Sequence, residues 1–395
     1  MNAERQEWFY RNHFSTARYA RLRELLQQRL GTPIEFRIME APIFMSAQLR
    51  SAIARAATEL VQQCTSPDYL SHAIPNAIPE QYRMPDIPSH PTCAVVDFAI
   101  VHDGDTYQPR LIELQGFPSL FAYQVFLAQA YHEAYELPEE FSPFFDPTLT
   151  MDEYQTLLQR LLLGTHHPDN TALVDYRPFE QKTYPDFAAT EILTGVAPTD
   201  ICSLELAEGT LFHRRGGALQ PLRRIYMRAI CDELEQYGVS VPFSWSSPPN
   251  VEWVVHPNWY FLLSKYSLPF LVHSVVPKAV FCSQMSDFPE GQWVLKPLYS
   301  FAGRGVNVDP RKEDFDSIPP SQRHQWILME KVTYAPALST PEGPNYLEVR
   351  CMIIWEQGAT PRPTMSLVRT GRTQMMGSRY LTLPWTGASI CFFTD

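Results

Sequence analysis

The pattern of hydrophobic and polar positions changes period several times along the chain, and those changes divide it. In residues 1–70 apolar side chains recur at helical spacing, in RNHFSTARYARLRELLQQRL and again in SAQLRSAIARAATELVQQ (46–63). Residues 32–43 between them read as a strand ending at Pro42. A proline-rich loop over 75–92 leads into CAVVDFAIV (93–101), a strand, then an Asp-Gly turn in HDGDTY and the return strand RLIELQ (110–115). Residues 120–164 return to helical spacing. From Thr171 the pattern alternates: TALVDY as a buried strand, a helix over 185–195, a strand over 201–206, a hairpin at Gly216 and Gly217, and a helix over 223–238. That alternation predicts a small α/β unit with parallel pairing. Residues 256–271 read as a helix with Lys265 near its end, and strands come after it over 279–282, 293–295, 306–308, 326–332, 346–355, 365–369 and 375–381. The expected fold class is α/β (α+β). Its parts are a helical region over 1–92, a hairpin with helices over 93–165, the α/β unit over 166–245 and a strand-rich region over 246–395.

A chain of 395 residues is too long for one ordinary core, so two or three domains are expected. Hydrophobic residues at 45% against 19% charged mark a globular chain and not a disordered one. The net charge of −11 argues against a broad footprint for a phosphate backbone, so nucleic acid is not an expected partner. Any phosphate ligand must instead meet a local cluster of cations, and the scarce lysines Lys265, Lys278, Lys296 and Lys331 fall close together in sequence. The seven cysteines lack CxxC spacing and sit mostly in apolar contexts, which predicts buried free thiols in a reducing compartment. The first residues show no apolar signal core and no run reaches transmembrane length. A cytoplasmic location with no membrane partner is therefore the expectation.

Two stretches carry candidate chemistry. WVLKPLYSFAGRGVNV (293–308) delivers Lys296 at a strand end, and a loop containing Gly303 and Gly305 comes next. A lysine facing a glycine loop suits a polyphosphate, because the ammonium neutralises charge and glycines let backbone N–H groups approach phosphate oxygens. The lysine precedes the glycines, so this is no P-loop; the residues after Gly305 are strand-like, so it is no dinucleotide fingerprint. A plain hairpin turn beside a surface lysine remains the alternative. In the second stretch, Asp97 and Glu113 come from strands expected to pair, and Gln115 shares a face with Glu113. Two carboxylates and an amide oxygen suit Mg²⁺, which binds through one or two carboxylates plus phosphates and waters. Solvent-facing hairpin residues are the alternative, but the flanks VVDFAIV and LIELQ are apolar, and charges there need a partner or a metal.

Taken together and in this order, these stretches resemble the ATP-grasp superfamily. Lys265 and Lys296 look like that family's pair of phosphate-binding lysines around a glycine-rich lid. WILMEKV resembles the connector strand that meets adenine, which implies Met329, Glu330 and Val332 at the nucleotide. LEVRCMIIW resembles the strand presenting an arginine to the transferred phosphate, here Arg350, with Arg369 or Arg379 as helpers. The hairpin with Asp97, Glu113 and Gln115 looks like the metal-binding element, although in the common family order it comes last and here it comes first. The sequence therefore looks like a circularly permuted ATP-grasp protein, as in eukaryotic glutathione synthetase and glutathionylspermidine synthetase, with a Rossmann-like α/β substrate domain. Gln115 stands where asparagine is usual, and the lid offers Arg304 where those enzymes have an acidic metal ligand. The resemblance implies a ligase using ATP and Mg²⁺ to activate a carboxylate as an acylphosphate, then joining it to an amine as an amide. Its implied partners are small-molecule carboxylates and amines, with a homodimer as a family-level expectation. The alternatives are an ATP-grasp phosphotransferase and a catalytically silent nucleotide-binding protein, the latter consistent with the two departures.

Overall fold

The computed structural model describes residues 1–117, 120–300, 303–373, 376 and 381–393. Its largest sheet is antiparallel throughout, in the order Gly387–Ser389, Arg362–Gly371, Gly343–Ile354, Cys93–Asp103, Thr106–Gln115. Leu338–Thr340 folds back on the first residues of Gly343–Ile354. The sheet is central because its strands are apolar far beyond simple alternation: Cys93–Asp103 is buried continuously from Cys93 to Ile100. A strand like that needs cover on both faces. The helices Ala47–Gln63 and Tyr123–Tyr135 pack against it.

Two smaller sheets flank the large one. Ala279–Phe281, Trp326–Glu330 and Trp293–Pro297 form an antiparallel trio, with the Trp326 strand in the middle. Beneath it Cys282, Trp293, Leu295, Phe315, Ile318 and Leu328 make a core of their own, separate from the main one. The α/β unit is a parallel sheet in the order Glu252–Trp253, Arg224–Met227, Thr171–Asp175, Ala197–Asp200. A meander of Glu205–Ala207, Thr210–Arg215 and Ala218–Pro221 extends beside it.

The N-terminal region is helical, as the periodicity predicts: Ala3–Asn12, Thr16–Leu30, Ala47–Gln63 and Pro67–Ala77. Ser15, Ser46 and Ser66 each cap the next helix by accepting from a backbone N–H of its first turn. These helices belong to the main body. Ile43–Met45 pairs in parallel with Cys391–Phe393, and the main apolar core includes both Phe9 and Phe393.

Several expectations change. The strand predicted over 32–43 reduces to a bridge at Ile38 and the short strand Ile43–Met45. The loop expected from residue 75 begins later, because Pro67–Ala77 continues through Pro75. The strand expected over 201–206 lies earlier, at Ala197–Asp200. The helix expected over 223–238 divides: Arg224–Met227 is a strand inside the parallel sheet and only Cys231–Gln236 is helical. Ile225, Tyr226 and Met227 are buried between neighbouring strands, and a short apolar run of that kind has no period that separates strand from helix. The helix expected over 256–271 is the single turn Trp259–Leu262 and then a 3₁₀ segment, Lys265–Phe270, in which Pro269 has no N–H to continue an α-helix. Residues 306–308 contribute one bridge, Asn307 to Leu295, in place of a strand. The strand predicted over 375–381 falls mostly outside the described residues.

Candidate active site

A cavity of about 530 Å³ opens where the large sheet, the antiparallel trio and the α/β unit meet. Its size suits a small-molecule ligand. The hairpin and the two strands beside it create its floor. Register places Leu367, Arg350, Asp97 and Glu113 directly opposite one another across four adjacent strands, with Glu348 opposite Arg369 one step along. Directly opposed residues share a face, so Arg350, Asp97 and Glu113 form one charged row that ends against Leu367.

Asp97 and Glu113 are opposed like charges, an arrangement that destabilises a sheet unless cations offset it. They do. Arg350 grips Asp97 through Nε and Nη2, each 2.7 Å from a carboxylate oxygen, and Arg369 Nη2 adds a third bond of 2.7 Å. Arg369 also donates to Glu348, whose other oxygen accepts from Tyr334 Oη at 3.0 Å. Lys265 Nζ stands 3.6 Å from Glu113 Oε2. Burial pushes the Asp97 carboxyl up, but the two guanidiniums more than cancel this and hold it below the usual carboxylate range. For Glu348 the balance reverses: burial raises it, and the attraction of Arg369 recovers only part.

The two lysines reach the row from different elements. Lys296 lies near the end of Trp293–Pro297 and is buried; its Nζ donates to Ile112 O at 3.1 Å and lies 3.2 Å from Met329 Sδ. The Ile112 carbonyl is available because the register between Cys93–Asp103 and Thr106–Gln115 slips there, where Asp97 opposes Glu113 but Phe98 opposes Leu111. This β-bulge takes Ile112 out of the ladder. Burial lowers the Lys296 ammonium to about 8, against the pull of Glu113. Lys265 Nζ donates to Ser300 O at 2.9 Å and so ties down the start of the glycine loop. Gly303 and Gly305 both have positive φ, 73° and 72°, the left-handed backbone that glycine tolerates best.

Above the lysines the wall is apolar, with Val294, Val306, Val308, Met329 and Val332 lining the cavity beside Glu330. Glu330 also accepts from the Lys278 N–H, at 3.2 Å, and so pins the outer strand of the trio.

The structure brings Lys265, Lys296, Gly303, Met329, Glu330, Val332, Glu113, Gln115, Arg350 and Arg369 to this one cavity. Gly305 is placed beside Pro297, which an added Cβ would approach to 3.1 Å. Arg379 lies outside the described residues. Asp97 is the correction. The sequence expects it among the metal ligands, but it is wholly buried, does not line the cavity, and spends both oxygens on arginines. Among the described residues no group of three His, Cys, Asp or Glu side chains is placed to hold a metal. Of the three expected ligands, those that face the cavity are the Glu113 carboxylate and the Gln115 amide, joined by a 2.5 Å bond from Nε2 to Oε1. That donor set fits a magnesium ion that takes its other ligands from substrate phosphates and water, and does not fit a site built wholly from protein.

Tyr334, Ser300, Asp175 and Arg228 also line the cavity or touch its charged groups, and the motifs did not single them out. Ser300 lies inside the 293–308 stretch and Asp175 closes the apolar run TALV, whereas Tyr334 and Arg228 left no such signal.

No protein-family model and no curated protein matches the chain. Among solved structures it is similar to the apo form of a glutathione synthetase-like effector from Globodera pallida. The two share 10% identity and a TM-score of 0.55, over 95% of this chain and 96% of that one. At that identity the likeness concerns the fold alone: the chain has a mixed α+β fold similar to that of glutathione synthetase-like proteins. No helix among the described residues is long and apolar enough to cross a membrane.

Proposed function

We propose that the chain is an ATP-dependent carboxylate–amine ligase with a circularly permuted ATP-grasp architecture. The observation that carries this is the meeting of Lys265 and Lys296 with the Glu113 carboxylate beneath an apolar slot, all in one cavity. The slot lined by Val294, Val306, Val308, Met329 and Val332 suits a purine base. Lys265 and Lys296 would then hold phosphate oxygens in place of the Ser300 and Ile112 carbonyls they now bond. The likeness to a glutathione synthetase-like fold supports the same reading, and the hairpin's place ahead of the lysine strands is the order a permuted ATP-grasp chain would have.

Magnesium, held by Glu113 and Gln115, would neutralise phosphate charge. The chain's own contribution to phosphoryl transfer is positioning and electrostatics. Arg350 is fixed by Asp97 and Arg369 by Asp97 and Glu348, so both guanidiniums hold their orientation before any substrate arrives. Preorganised charge of this kind costs no reorganisation during the reaction. The loop carrying Gly303 and Gly305 closes over the phosphates and excludes water from the acylphosphate, which an amine nitrogen then attacks to form the amide and release phosphate.

The test is ADP release from Mg-ATP with a matrix of small carboxylic acids, amino acids and polyamines. Release that needs both an acid and an amine supports the ligase. Release with an acid alone makes the protein a phosphotransferase, and no Mg-ATP binding by calorimetry removes both.

A further inference from the structure

The end of the cavity under the α/β unit contains chemistry that the nucleotide reading does not use. Thr171–Asp175 and Arg224–Met227 are adjacent parallel strands, and Asp175 and Arg228 stand at their carboxyl ends. The crevice beyond the carboxyl ends of parallel strands is where such sheets bind ligands. Both side chains line the cavity, and both residues are 5% exposed.

Arg228 has no acceptor for Nε or Nη1 among the described residues. Its guanidinium lies over the Phe117 ring, 4.3 Å from the centroid. A ring face attracts a cation but supplies none of the lone pairs that five N–H donors require. The neighbouring acids do not fill the gap. Asp186 spends its oxygens on the Leu120 and Tyr123 N–H groups, at 2.9 and 3.1 Å. Asp175 accepts from the Tyr176 N–H at 2.7 Å and makes no ion pair with Arg228. A buried guanidinium and a buried carboxylate therefore sit on the ends of neighbouring strands, facing one cavity, without being bonded to each other. Asp175 and Asp186 offset the Arg228 charge at a distance, but buried N–H groups without acceptors are costly, and a ligand oxygen in the cavity would supply what they lack.

We infer that this end of the cavity is a subsite for a zwitterion, a molecule carrying an ammonium and a carboxylate as an amino acid or short peptide does. The ligand's carboxylate bonds Arg228 and its ammonium bonds Asp175, with Glu233, which also lines the cavity, adding negative charge on the ammonium side. A ligand with both charges completes both protein groups. An amine alone leaves Arg228 unmet, and a carboxylate alone adds negative charge beside Asp175. The inference draws on the ligase reading only in making this ligand a substrate.

Calorimetric titration of the whole chain, without nucleotide, tests it with L-alanine, L-alanyl-L-alanine, ethylamine and propionate. At least one zwitterion is expected to bind at least tenfold more tightly than both single-charge compounds. Arg228→Gln and Asp175→Asn are each expected to abolish that preference. Equal affinity for all four compounds, or a preference that survives either substitution, overturns the inference. The comparison on the unsubstituted chain needs no variant, so a variant that fails to fold leaves it decisive. Mg-ATP titrated into the same sample separates the two readings. Zwitterion selectivity without nucleotide binding removes the ligase and keeps the subsite; nucleotide binding without selectivity removes the subsite alone.

Discussion

Arg350 and Asp97 oppose one another on neighbouring antiparallel strands and are joined by two bonds of 2.7 Å, with Asp97 wholly buried. The pair orients a guanidinium toward the cavity and accounts for a carboxylate in the middle of a hydrophobic sheet.

Removing one member strands the other. Asp97→Ala is expected to destabilise the fold by about 3–5 kcal/mol, the usual cost of an uncompensated buried charge. The double substitution Asp97→Leu with Arg350→Met should cost much less than the sum of the two singles. Urea unfolding of the four forms at pH 7 measures both. Asp97 is held below its unfolded value, so its contribution is present above roughly pH 4 and disappears as pH falls through the lowered folded value. The gap between Asp97→Asn and the natural chain should therefore narrow only in acid.

Lys296, lowered to about 8 by burial, gives nucleotide binding a pH signature. Below pH 8 the ammonium is charged and available to phosphate; above it the amine is neutral, so Mg-ATP affinity should fall as pH rises from 8 to 9. Phosphate returns the proton, and titration in buffers of differing ionisation enthalpy should register proton uptake in that range. Lys296→Met should abolish the uptake and weaken binding by roughly 10- to 100-fold, the worth of a charged hydrogen bond.

Glu113→Gln keeps the shape of the site and removes the cavity-facing carboxylate beside Lys265. Metal-dependent ADP release should fall at least about 100-fold, a loss of about 2.7 kcal/mol of transition-state stabilisation. The thermal midpoint should move little. A collapse of the fold would instead make Glu113 structural.

Burial raises Asp175 to about 6, with Arg228 recovering part of the shift. A raised carboxyl favours the protonated fold, so its stabilising share is complete below the unfolded value near 4 and is lost as pH passes through about 6. Asp175→Asn imitates the protonated form. It should match the natural chain at pH 4 and exceed it at pH 8 by up to about 3 kcal/mol, from a shift of about two pKa units. Denaturant midpoints at the two pH values decide this.

Much of this architecture was legible in local patterns, where a signal depends only on neighbours in sequence. The amphipathic periods in residues 1–70 gave helices, the Asp-Gly turn at 103–104 gave the hairpin, and Trp293–Pro297 and Trp326–Glu330 appeared as strands close to where expected. The strand–glycine-loop order also singled out Lys296, because a lysine closing an apolar strand is unusual enough to register in one sequence.

Other features depended on packing. Arg224–Met227 is a strand because strands on both sides bury it, and the residues RIYM carry no period to say so. Lys265 leaves a broken helix at the angle that aims it at Glu113.

The sequence by itself determined which residues are charged in apolar surroundings: Asp97, Glu113, Lys296, Glu348 and Arg350. It determined too that two residues on one strand separated by one position share a face. Only the tertiary structure decided how those charges divide. Asp97 and Glu113 were equivalent as carboxylates on paired strands, but burial is a property of the whole molecule. Strand Gly343–Ile354 covers Asp97 and brings Arg350 to it, whereas Thr106–Gln115 ends the sheet and leaves Glu113 open to the cavity. The same holds for Arg228, which is an ordinary arginine in sequence and, once Phe117 is folded against it, a buried cation whose Nε and Nη1 have no acceptor among the described residues.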